Sequence, residues 1–136
     1  MKIEKIINKN EVVAYILRDI YSYKRRQFVE RTNDFLQVGI MQIEKNEIIN
    51  PHYHLPQKKI ITKNQEVLII LGGKLEASFY ANKTNKLIKK SILSNGDILV
   101  LLNCGHGFKI LEKCNIIEVK QGPYEGQKKD KAFIEL

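Results

Sequence analysis

Tryptophan is absent from this 136-residue chain, and there are only two cysteines, three prolines and three histidines. Each scarcity narrows the possibilities. The net charge is +8, mostly from lysines spread along the chain. Without a stacking platform or a nucleic-acid motif, that charge alone does not imply a nucleic-acid partner, and none is expected. No stretch approaches the roughly 20 apolar residues of a membrane span. The opening Met1-Lys2-Ile3-Glu4-Lys5 carries a glutamate and lacks the apolar core of a signal peptide, so a cytoplasmic location is expected. Cys104 and Cys114 read as free thiols, because they lack zinc-finger spacing and no export signal accompanies them; Cys104, beside His106, reads as a small buried residue, with a ligand or redox role as the alternative. No Gly-x-Ser-x-Gly elbow and no phosphate-cradling glycine loop occurs. Repeats, low-complexity stretches and composition breaks are also missing, so the chain reads as one domain.

What is present is β-forming sequence. Short apolar or alternating runs predict strands over 1–7, 12–17, 24–30, 36–43 and 48–54, then 67–71, 74–80, 87–93, 98–102, 107–111 and 115–121. The segment 11–19 also fits an amphipathic helix. Turn residues punctuate the runs: Asn8-Lys9-Asn10, Lys45-Asn46, Gly72-Gly73, Asn82 to Asn85, and Ser94-Asn95-Gly96. The stretch 55–64, with Pro56 and three lysines, reads mostly as loop with a short strand over 59–62. The run 67–71 is apolar on both faces, Glu66, Leu68 and Ile70 on one and Val67, Ile69 and Leu71 on the other, so both faces need cover. One face can line the barrel interior, and the other needs the N-terminal strands or a second subunit; a homodimer is expected. The pattern as a whole predicts an all-β sandwich or barrel.

The chemistry centres on Pro51-His52-Tyr53-His54. Residues i and i+2 of a strand project to one face, so His52 and His54 are expected to point together. Downstream, Gln65-Glu66 precedes the apolar run that ends in Gly72-Gly73. Gly96-Asp97 then opens a buried stretch that leads to Gly105-His106-Gly107. His106, Phe108 and Ile110 share a face, which places an imidazole on an apolar side where it needs a partner.

This order of His-x-His, Glu, a glycine seven positions on, Gly-Asp and a last histidine resembles the cupin family. The resemblance runs from about Gly39 to Lys120. It implies a double-stranded β-helix, or jelly-roll barrel, with a core over about 36–121, N-terminal strands over 1–35 and a C-terminal tail over 122–136. The chain departs from the family pattern in three places. Eleven residues separate His54 from Glu66, the usual motif proline is Leu102, and the second motif is one residue short before His106. The resemblance implies a metal held by His52, His54, Glu66 and His106, with Gln57 and Gln65 as alternative oxygen donors. Iron, manganese, nickel and zinc all suit such a nitrogen-rich set.

A narrower likeness involves Gly39-Ile40-Met41, Thr62, Gln65-Glu66-Val67-Leu68 and Glu118-Val119-Lys120-Gln121-Gly122-Pro123-Tyr124. These stretches look like a group of small bacterial cupins associated with surface-polysaccharide and sugar-nucleotide genes. A sugar or anionic sugar nucleotide is therefore the expected ligand, with Gln57, Lys58, Lys59, Lys63 and Phe108 as substrate-binding candidates. Two related branches act on nucleotide-linked keto sugars as epimerases and ketoisomerases, using a histidine base and usually no metal. In that alternative His52 or His54 removes a proton, and Tyr53, Tyr80 or another tyrosine serves as the acid. Those branches carry Arg-Gly where this chain has Asn50-Pro51. A third alternative is a ligand-binding module without catalysis.

Overall fold

A computed structural model describes residues 2–22, 27–29 and 33–135. Eight strands occur among these residues: β1 (Lys2–Asn8), β2 (Glu11–Arg18), β3 (Gln27–Phe28), β4 (Gly39–Ile40), β5 (Glu66–Tyr80), β6 (Leu87–Ser94), β7 (Ile98–Leu101) and β8 (Gly105–Lys120). A 3₁₀ turn at Ile20–Ser22 and one helical turn, α1 (Gln127–Asp130), complete the elements. The chain is all-β, as the short alternating runs predict. Of the segment 11–19, Glu11–Arg18 is strand rather than helix, because β1 and β7 flank it and pair with it on both edges.

The main sheet is antiparallel, in the order β1-β2-β7-β5-β6, with β8 on the opposite edge of β5. Its shape follows from β5. The first part of that strand pairs with β7 and the last part with β6, while β8 accompanies nearly its whole length. Between these parts the register slips at Gly72 and Lys74. Gly73 has φ +79°, and a Cβ there would run into the carbonyl of Lys113 on β8. Glycine lets the two strands bend together at this point. The bend curls the sheet until its first and last strands meet: Lys89 of β6 lies 3.0 Å from Glu4 of β1.

Alternation then sorts the side chains into two clusters. Ile6, Ala14, Ile16, Leu68, Ile70, Leu75, Phe79, Leu93 and Leu99 pack together. This cluster joins β1 to β6, so it occupies the concave side of the curl. Tyr15, Leu17, Val67, Ile98, Val100 and Leu102 form the second cluster, on the convex side. Both faces of 67–70 therefore find cover. The cover on the convex side comes from within the chain: Val29, Leu36, Val38 and Ile40, around the small β3–β4 sheet, pack onto the second cluster. Leu71, expected on that face, is exposed.

Several strand expectations are corrected. Residues 48–54 and 59–62 form no strand and are exposed, because no neighbouring edge pairs with them. Of 36–43 only Gly39–Ile40 is strand. Gly72-Gly73 is not a turn but a bulged point inside β5, and the expected strands 107–111 and 115–121 are one strand. Part of the expected 24–30 strand lies outside the described residues. No helix among the described residues is long and apolar enough to cross a membrane.

Candidate functional site

Glu66 opens β5 and His106 lies near the start of β8. Their faces can be derived from register. Glu66 stands opposite Leu101, and His106 opposite Phe79. Leu101 and Phe79 both belong to the concave cluster. Directly paired residues of adjacent strands point the same way, so Glu66 and His106 face inward too. The Glu66 Oε2–His106 Nε2 distance is 3.5 Å. The other ring nitrogen, Nδ1, is buried with no hydrogen-bond partner among the described residues. The ring of Phe108 lies beside it, centroids 5.5 Å apart, as expected of residues sharing a face.

The pair borders a cavity of about 640 Å³, also lined by Tyr80, Asn103 and Cys104. That volume lies in the range of small-molecule sites, roughly 300–1,000 Å³. Asn82 donates from Nδ2 to Asn103 Oδ1 at 2.7 Å, and Asn103 donates in turn to Glu11 at 3.3 Å. These bonds hold the rim of the cavity. Burial, helped by the nearby Glu66 carboxylate, pushes the Cys104 thiol up to about 12, so it remains protonated and unreactive near neutral pH.

The cavity has a wall that sequence reasoning missed. The tail, read only as a polar end, returns across the opening, and Asp130, Lys131, Phe133 and Ile134 line it. Lys120 anchors the tail through an ion pair with Asp130 at 3.1 Å and lies 4.8 Å over the Tyr124 ring. Gly105 makes room for it, since a Cβ at that position would meet Ile134 Cδ1 at 2.5 Å. The glycine next to His106 was the available signal.

The other expected site residues lie elsewhere. His52, Tyr53, His54, Gln57, Lys58 and Lys59 are all exposed, on a connection between β4 and β5 that contains no strand. The His52 and His54 rings do stay together, with centroids 5.4 Å apart. His52 Nδ1 lies 2.8 Å from the Asn50 carbonyl oxygen. Lys63, at the root of this connection, pairs with Glu11 at 3.4 Å. Gln65 is buried and structural: it accepts from the Leu36 N–H at 2.9 Å, and its own N–H donates to Gln121 Oε1 at 2.7 Å. The expected ligands thus stand as two pairs. Among the described residues, no group of three or more His, Cys, Asp or Glu side chains is arranged to hold a metal ion.

No family model, curated protein or solved structure matches this chain.

Proposed function

We propose that the chain binds a small polar ligand of the sugar class in the cavity beside Glu66 and His106, and that these two residues move a proton on it. The observation that carries this reading is the inward carboxylate–imidazole pair with an unpartnered Nδ1. A buried polar atom without a partner costs about 1–3 kcal/mol, and a turn of the ring that brings Nδ1 to a ligand donor or acceptor in the cavity would repay that. In this reading His106 exchanges a proton with the ligand, Glu66 orients the ring, and Tyr80, which lines the same cavity, serves as the acid. Lys131 in the cavity lining suits an anionic group on the ligand, with a nucleotide-linked sugar as the first candidate.

A divalent metal is the second reading, supported by the paired imidazoles of His52 and His54. The four residues do not meet in this geometry, so no step is routed through a metal.

The test combines ligand-induced thermal shifts, across free and nucleotide-linked sugars, with deuterium incorporation from heavy water followed by NMR. A shift that is lost in His106→Asn, with exchange lost in Glu66→Gln, supports the reading. Failure of every sugar to shift the untagged protein would sink it. Metal content of untagged protein incubated with iron, manganese, nickel and zinc decides the second reading.

A further inference from the structure

Residues 41–64 leave the body after β4 and return at β5, and all twenty-four are exposed. A connection of this length without secondary structure is uncommon in a compact domain and usually has a task. Its composition is that of something to be covered. Ile48 is 80% exposed, Tyr53 83%, Leu55 72% and Ile60 76%. Both roots are fixed: Ile40 packs on the convex cluster, and Gln65 is buried and bonded to Leu36 and Gln121. The arm reverses at Lys45-Asn46, where Asn46 takes φ +69°.

The same molecule carries an open strand edge. β8 pairs with β5 along one side, and no described strand pairs with its other side. Ile110, Leu111, Ile117 and Val119 are exposed along it. A sixteen-residue edge with exposed apolar side chains is a template for another strand.

We infer that the arm of one chain docks on the free edge of β8 in a second copy, and that a two-fold axis makes the exchange reciprocal. Direction argues for a second copy. The arm arrives at Gln65 beside Gln121, just past the end of β8. Its returning limb, laid on β8 of its own chain, would run parallel to that strand and would have to cross its end within a few residues to enter β5. Two residues, 63 and 64, are too few for that crossing, and Lys63 is held to Glu11 of β2, on the β7 side of β5 and away from β8. A second copy faces no such constraint and can pair antiparallel. Pro51 and Pro56 have no N–H to give, so the pairing falls on 47–50 and 57–62. Ten paired arm residues and a similar number on β8, both given by each chain, reach about the 20 residues a side of a stable interface. It also closes both open edges. This inference is separate from the pocket reading, since it uses neither Glu66 nor His106.

Light scattering of the untagged chain is expected to give twice the 15.8 kDa chain mass. Ile60→Glu with Ile61→Glu in the arm, or Ile117→Lys with Val119→Lys on β8, should each raise the dimer dissociation constant at least about tenfold. Circular dichroism of each variant should match the parent. Mixing the two variants should restore the dimer, because the mixed pair has one parental contact and one Glu–Lys contact. Hydrogen exchange of the 105–120 amides should quicken on dilution, which gives a readout on the parental chain if a variant fails to fold. A monomer at every concentration would overturn the inference. A dimer indifferent to either variant pair, or folded variants that stay monomeric when mixed, would overturn it as well.

Discussion

The two ends of the concave core carry charged clusters of opposite character. At one end Arg18 donates from Nη1 to Asp97 at 2.6 Å and to the Ile92 carbonyl at 2.7 Å. Its Nε and Nη2 donate to Glu4, whose other oxygen accepts from Ser91. Asp97 also accepts from the Ser94 N–H at 2.9 Å. Every charged member has several partners, and together they tie β1, β2, β6 and the turn before β7. At the other end, Glu66 and His106 have one long contact between them and an orphaned ring nitrogen. The satisfied cluster is what a closed sheet needs. The unsatisfied one lines a cavity, where a buried polar group can wait for a ligand.

The largest way to break this comparison is Arg18→Met. It leaves the Asp97 carboxylate, nearly buried, without a cation, and the Glu4 carboxylate with Lys89 alone. We expect a loss of about 2–3 kcal/mol, below the full cost of a deeply buried broken pair because the cluster keeps some contact with water. Urea unfolding measures it, and a loss under about 0.5 kcal/mol would show the cluster to be ornamental surface charge.

Acid sharpens the same point. Burial alone would raise the Glu4 carboxyl, but hydrogen bonds from Ser91, Arg18 and Lys89 outweigh it and hold the group down at about 2, from an ordinary 4.5. A depressed carboxylate stabilises the fold above its unfolded value and loses that contribution as pH falls toward its folded value. Stability should therefore be flat in this respect above pH 5 and decline between about 4.5 and 2, by about 1–2 kcal/mol after allowance for screening. Glu4→Gln should flatten that limb; an unchanged acid limb in the variant would assign the loss to other groups.

The other cluster should respond oppositely. His106→Leu removes a buried atom that has no partner but also the long contact to Glu66, and these opposed effects should leave unfolding within about 1 kcal/mol of the parental value. Ligand-induced shifts should disappear. A destabilisation as large as that of Arg18→Met would make His106 a structural residue.

The smallest change is chemical. With its thiol raised to about 12 by burial, Cys104 should resist alkylation at pH 8 in the folded chain and react only on unfolding. Mass spectrometry of the labelled peptides reads this directly; rapid labelling of Cys104 in the native protein would mean the cavity wall opens easily.

Legibility in the sequence differed between the two halves of the site. Glu66 and His106 were readable because alternation along a strand fixes which face a residue takes, and register only had to bring the two strands together. His52 and His54 were readable as a pair but not as to place. The run Ile48-Ile49 has the composition of a strand, yet a strand exists only where another edge accepts its N–H and C=O groups. Gly72-Gly73 misled for a related reason. Glycines that permit positive φ serve equally in a turn and in a bulge, and the neighbouring strand decides which.

By itself the sequence determined the all-β class, the hairpin of β5 and β6, the inward faces of Glu66 and His106, and the two-sided burial of 67–70, because these depend on local period and polarity. Only the tertiary structure decided that β5 and β8 run unbroken past the glycines, that Asp97 meets Arg18, and that the tail walls the cavity. It alone placed 41–64 outside the sheet. Those outcomes depend on which distant edges and charges meet, and contacts between residues far apart in the chain leave no periodic trace in it.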